Sequence, residues 1–157
     1  MSTSANNAGV MPVRDGFAFD EGSLVRWMTQ HVAGFAGPLE VFEFCGGQSN
    51  PTYKLVTPSK TYVLRRKPPG VLAKGAHAVD REARVLSALG TSGFPVAHVH
   101  GVCLDDSVIG SWFFIMDMVE GRIFWDATLP DVSAAERPAY FIAMNTTLAQ
   151  LHQIDPQ

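Results

Sequence analysis

The apolar and polar positions of the chain change period several times, and each change marks an element. Over residues 23–35, Leu24, Trp27, Met28, Val32 and Phe35 recur at helical spacing. This predicts an amphipathic helix with Ser23 as its N-cap, ended by Gly34 and the Gly37-Pro38 pair. Residues 39–44 partly alternate and read as a strand. A turn-rich break over 45–51 separates it from a second strand at 52–57, and Pro58-Ser59-Lys60 leads into a third at 61–66. Three strands so joined predict an antiparallel meander.

Pro68-Pro69-Gly70 stops the third strand. A helix follows over about 78–89, with Val79, Glu82, Val85, Leu86 and Leu89 on one stripe and Gly90 closing it. Residues 96–102 and 111–119 predict two more strands, with Asp105-Asp106 as a turn between them. Gly121 marks a boundary, and 133–154 reads as one long helix. Ser133 and Glu136 offer it a capping box, and Phe141, Met144, Leu148, Leu151 and His152 share one of its faces. The expected fold class is α+β: a five-stranded antiparallel sheet with one packed helix, an N-terminal helix, and a last helix with little to bury its stripe against. The expected divisions are a flexible leader over 1–19, a unit over 20–120, and an exit segment with its helix over 121–157.

Composition narrows the function classes. At 157 residues and 46% hydrophobic content, the chain is long enough for one real core. Twelve Lys and Arg against 15 Asp and Glu leave a net charge of −3 without a basic block, which argues against nucleic acid as a partner. Charged residues make up only 17%, and the mean hydropathy of +0.08 argues against disorder over most of the chain. No apolar run reaches the ~18–20 residues of a membrane helix, since the run from Trp112 to Val119 is interrupted by Asp117. Two cysteines, Cys45 and Cys103, make neither a disulfide framework nor a zinc site, so a cytoplasmic setting is expected.

Four features could carry chemistry. Gly46-Gly47 followed by Ser49-Asn50 sits between two strands, where backbone N–H groups and a hydroxyl could surround phosphate oxygens. A plain hairpin turn is the alternative. The loop is no Walker loop and no dinucleotide fingerprint, because no helix begins there. Arg65 lies in the third strand on the face of Thr61 and Val63, with Tyr62, Leu64 and Arg66 on the other. It could meet a polyphosphate, or, as expected more strongly of Arg66 and Lys67, reach solvent from a strand end. Glu82 shares the helix stripe that faces the sheet. A carboxylate there needs a partner, for which Arg65 is the candidate; an acid favoured by the first helical turn is the other reading. Finally, the strand from Phe114 to Val119 runs out into Glu120-Gly121-Arg122, where edge backbone groups could meet a flat heterocycle.

In this order the pieces resemble the amino-terminal lobe of protein-kinase-like phosphotransferases of the aminoglycoside and choline kinase type. They are Gly-Gly-Gln-Ser-Asn-Pro-Thr-Tyr (46–53), Tyr-Val-Leu-Arg (62–65), Asp-Arg-Glu-Ala-Arg-Val-Leu (80–86), Phe-Ile-Met-Asp-Met-Val-Glu-Gly-Arg (114–122) and Leu-Ala-Gln-Leu-His (148–152). The glycine loop is most similar to that of the kinase-like domain found beside, or fused to, acyl-CoA dehydrogenases. The resemblance implies ATP as cofactor: Gly46, Gly47, Ser49 and Asn50 cover its phosphates, Arg65 replaces the usual phosphate-contacting lysine, and Glu82 pairs with Arg65. It also implies that Asp117, Met118 and Val119 form a hinge that hydrogen-bonds adenine through the backbone. Two departures stand out: the loop is not G-x-G-x-x-G, and the cation is a planar arginine.

The family's His-Gly-Asp catalytic loop and its metal-binding aspartate would follow the helix that ends near His152, and neither is present before Gln157. The expectation is therefore the ATP-binding part of a small-molecule kinase with an alcohol acceptor, truncated before its catalytic loop and inactive alone. It has no catalytic residue or metal ligand of its own, and Mg2+ and the hydroxyl substrate belong to the complete protein. The alternative is a non-catalytic nucleotide-binding or interaction module, associating through the helix at 133–154, with another copy of itself as one partner.

Overall fold

The computed structural model describes residues 9–45, 50–68, 70, 77–124 and 126–155. Its elements run in chain order as β1 (Val10–Met11), α1 (Glu21–His31), β2 (Glu40–Phe44), β3 (Thr52–Val56), β4 (Thr61–Arg66), α2 (Val79–Thr91), β5 (Val99–Cys103), α3 (Asp106–Ile109), β6 (Phe113–Asp117) and α4 (Arg137–His152). The strands form one antiparallel sheet in the order β1-β2-β3-β4-β6-β5. The architecture is thus α+β, with the β2-β3-β4 meander in place and, among the described residues, six strands instead of the five expected.

Strand order follows burial. Phe113, Phe114 and Ile115 are all fully buried, so β6 needs cover on both faces and takes the inner place beside β4. The less apolar β5, carrying Gly101 and the exposed Val102, is left at the edge.

Alternation along β4 sends Tyr62 and Leu64 to one face. There they join Tyr53, Leu55, Phe113 and Ile115 under Leu24, Trp27 and Met28 of α1. On the opposite face Val79 and Ala83 of α2 close over Phe114, with Leu86, Val99, Trp112 and Met116 around them. A helix therefore packs on each face, where the sequence pattern anticipated one.

Several boundaries differ from the expected ones for local reasons. The carboxylate of Asp20, not Ser23, caps α1: it accepts from the Gly22 N–H at 2.9 Å and from the Ser23 hydroxyl at 2.6 Å. The α2 helix runs through Gly90 to Thr91. Its stripe is rotated so that the small Ala83 approaches the sheet, while Val85 is 50% exposed. Asp105 caps one helical turn, α3, instead of an open turn. Ser133 and Glu136 do bond reciprocally, hydroxyl to carboxylate at 2.6 Å and N–H to hydroxyl at 3.3 Å, one turn ahead of Arg137 where α4 begins.

The flexible leader expected over 1–19 is not found in its described part. Val10 and Met11 pair with Phe44 and Glu43 and supply the sixth strand. Arg14 then clasps the Glu43 carboxylate through its backbone N–H at 3.1 Å and its Nε at 3.0 Å. The Phe17 carbonyl accepts from the Tyr53 hydroxyl at 2.9 Å. Arg66 was expected to reach solvent and is instead 2% exposed. It lies on the α1 face, where the Phe19 ring of the same N-terminal segment covers its guanidinium at 5.3 Å. Burial holds the Arg66 pKa below its ordinary value.

Candidate functional site

The register of β3 and β4 sets Thr52 opposite Arg65 and Lys54 opposite Val63, so these four side chains share the sheet face that carries α2. The α2 helix packs chiefly on β5 and β6, which leaves the β2-β3-β4 half of that face less covered. At the boundary between the two halves, the Nε of Arg65 meets the carboxylate of Glu82 at 2.9 Å. Both side chains are about a third exposed, at 30% and 35%, so the pair lies at the rim of the covered region with its guanidinium reachable from outside. Arg65 also donates to the Thr52 hydroxyl at 3.5 Å, and that hydroxyl donates to the Asn50 carbonyl at 3.1 Å.

Asn50 is buried, and its side-chain oxygen lies 2.9 Å from Nδ1 of His77, a residue at φ 57° just ahead of α2. The contact implies that Nδ1 carries the proton. One chain of contacts thus joins the C-terminal end of the glycine loop, the start of β3, the arginine and the acidic helix. Gly46, Gly47 and Ser49 lie outside the described residues.

The exit of β6 sits elsewhere. Asp117 stands opposite Tyr62, so its side chain belongs to the α1 face and not to the face of Arg65. Its carboxylate takes Nζ of Lys60 and Nε2 of His100, each at 2.8 Å. Burial pushes this carboxyl up, and the hydrogen bonds from Lys60 and His100 outweigh that and hold it below the usual carboxylate range. Met118 and Val119 follow outside the sheet, Met118 partly buried and Val119 68% exposed.

Two polar residues near Arg65 were not singled out from the sequence. Lys54 could have been found, since Thr52 and Lys54 alternate toward the face of Arg65. His77 could not, because its contact with Asn50 spans 27 positions and carries no periodic signal. Among the described residues no group of three His, Cys, Asp or Glu side chains could hold a metal ion.

A sequence profile described as the phosphotransferase enzyme family matches residues 41–157, most of the chain. The chain belongs to that family. It is 50% identical to a solved protein from Ralstonia eutropha JMP134, assigned as an aminoglycoside phosphotransferase. That likeness has a TM-score of 0.75 and covers 88% of this chain and 39% of the other. The kinase-like phosphotransferase fold is therefore established. Acyl-CoA dehydrogenase family member 11 of Gallus gallus is 48% identical over 151 residues, 94% of this chain and 19% of the relative. The protein of that name from Homo sapiens is 46% identical over 143 residues, covering 88% and 18%. Acyl-CoA dehydrogenase family member 10 of Mus musculus is 38% identical over 147 residues, covering 93% and 14%. The chain spans less than a fifth of the length of these curated relatives. No helix among its described residues is long and apolar enough to cross a membrane.

Proposed function

We propose that this chain is the ATP-binding part of a small-molecule kinase, a phosphotransferase that acts on an alcohol group. The observation that supports this reading is the Arg65–Glu82 pair at 2.9 Å, on the sheet face next to the end of the glycine loop. A guanidinium fixed by one carboxylate has donors left over, and its planar fork matches two phosphate oxygens at once. Glu82 orients it and keeps it from folding back toward solvent. Gly46, Gly47, Ser49 and Asn50 enclose the phosphates in this reading, and the backbone of Asp117, Met118 and Val119 meets adenine. Lys54, on the same face, adds a second cation on the approach.

In phosphoryl transfer the protein supplies positioning and charge, while Mg2+ neutralises charge on the phosphates. The described residues assemble no metal site, so we assign no Mg2+ ligand here. The 157 residues also contain no His-Gly-Asp tripeptide, and activation of the acceptor hydroxyl is assigned to none of them. A cytoplasmic setting, in which Cys45 and Cys103 stay reduced, is part of the same proposal.

Titration of the chain with ATP, followed by calorimetry, tests the reading. Arg65→Ala should weaken binding about tenfold or more, the effect of losing a charge-assisted hydrogen bond worth ~1.5–3 kcal/mol. Glu82→Ala should cost a similar factor. The double variant should be little worse than either single one, because the two side chains act as a unit. Native-like circular dichroism with unchanged ATP affinity in Arg65→Ala would remove the arginine from the site, and absence of binding by the wild-type chain would overturn the assignment.

A further inference from the structure

Asp117 is the last residue of β6, a position where strands ordinarily fray. Here it is held from three directions. Its backbone N–H donates to the His98 carbonyl of the neighbouring edge segment at 2.9 Å. Its side chain takes Lys60 from the β3-β4 turn and His100 from β5, each at 2.8 Å. Lys60 Nζ and His100 Nε2 are 3.2 Å apart. An ammonium can only donate, so two donors here converge on one carboxylate oxygen, and His100 carries its proton on Nε2.

The surroundings restrict all three partners. Thr57 bonds both backbone groups of Lys60, its hydroxyl donating to the Lys60 carbonyl at 2.7 Å and accepting from the Lys60 N–H at 3.1 Å. The Lys60 ammonium also lies over the Tyr62 ring at 5.1 Å. The His100 ring is flanked edge-on by Tyr62 at 5.3 Å and His98 at 4.8 Å. All of this lies on the face away from Arg65, so the Asp117 side chain does not share a pocket with the arginine.

We propose that Lys60, Asp117 and His100 form a positioning cluster that fixes the direction in which residues 118–120 leave the sheet. The backbone groups of Met118 and Val119 are then already aligned for adenine when the nucleotide arrives. A bound conformation paid for in advance improves affinity without any new contact. The Asp117 side chain thereby acts through the backbone that it anchors and not by touching the ligand itself. The adenine step rests on the ATP reading above; the fixing of residues 118–120 does not.

Amide hydrogen exchange and ligand titration on the full 157-residue chain test the two parts separately. The variants are Asp117→Asn and Lys60→Gln, the second on an exposed turn where folding is not at risk. Exchange at the Asp117 amide, which donates to the His98 carbonyl at the root of the exit segment, should rise about fivefold relative to its intrinsic rate in both variants, which corresponds to ~1 kcal/mol of local stability. Affinity for ADP should fall by a similar factor, while affinity for inorganic tripolyphosphate, which has no adenine, stays at the wild-type value. Unchanged exchange at the Asp117 amide in both variants would overturn the cluster. Faster exchange with unchanged ADP affinity, or with equal losses for ADP and tripolyphosphate, would overturn its role in adenine binding. If the wild-type chain binds neither ligand, the ATP reading falls, and the exchange data alone decide whether the cluster fixes the exit segment.

Discussion

Glu43 is a carboxylate only 1% exposed, on the sheet face that α1 covers. Left alone there it would have to protonate, and burial does push its pKa up. The hydrogen bonds from the Arg14 side chain and backbone, with the Arg66 charge nearby, more than reverse this and hold it below the ordinary glutamate range. A carboxyl whose folded pKa lies below its unfolded value, ~4.3, stabilises the fold fully above that pH. The contribution is lost as pH falls through the folded value. Glu43→Gln should therefore lower stability at pH 7 by about 1–2 kcal/mol, since an amide accepts from Arg14 less strongly than a carboxylate. Urea unfolding at pH 7 and at pH 3 checks this: the gap between variant and wild type should narrow on acidification, and a gap that widens would contradict the pairing. None of this is legible in the sequence. Glu43 reads as one polar position in an alternating strand, and its partner lies 29 residues upstream in a stretch without periodicity. Arg66 misleads for the same reason, because only the folded N-terminal segment covers it.

Elements were more legible than their neighbours. The apolar periods of 24–35, 39–44, 52–57 and 61–66 each found the right kind of element, because burial of one face fixes the period locally. Strand order was not written there: that β6 lies inside β5 is decided by packing on both faces, which a linear pattern does not encode. The candidate site divides in the same way. Arg65 and Glu82 could be paired from strand alternation and helical spacing, whereas the turning of Asp117 to the other face depends on its register with Tyr62. Gly101 shows what the edge strand requires. A Cβ there would come within 2.9 Å of the Trp27 ring, which Phe113 holds edge-on at 4.8 Å and His31 stacks at 4.6 Å. The indole is held on two sides by these rings, so α1 docks closely only over a glycine. Gly101→Ala should cost about 1–3 kcal/mol as an overpacked core contact. Gly121→Ala, where an added Cβ meets nothing within 4 Å, should be nearly neutral. Denaturant midpoints compare the two, and equal midpoints would mean that α1 is not seated against β5 as described.

Across the whole molecule, the sheet with a helix on each face holds the described clusters of buried apolar side chains, while α4 contributes no buried residue at all. Its Phe141, Ile142, Met144, Leu148 and Leu151 are exposed. The space between the last three and Phe94, in the loop after α2, is an open cavity of about 590 Å³ instead of a packed seam. The segment leading into α4 does grip it: Arg122 lies over the rings of Phe124 and Tyr140, at 5.4 and 5.1 Å, and those rings meet edge-on at 5.3 Å. That contact ties α4 to its own connection and not to the sheet. A 16-residue helix without tertiary packing is marginal in water, because nucleation is costly and propagation adds little per residue. The sheet and α4 should consequently open independently. In the wild-type chain the α4 amides should exchange far faster than those of β3, β4 and β6. Ala143→Pro, which breaks α4 at its centre, should abolish the remaining α4 protection and leave that of β4 and β6 unchanged. Loss of protection in β4 and β6 in that variant would show that α4 is coupled to the sheet, and the nucleotide-facing strands could then not be regarded as a unit stable without it.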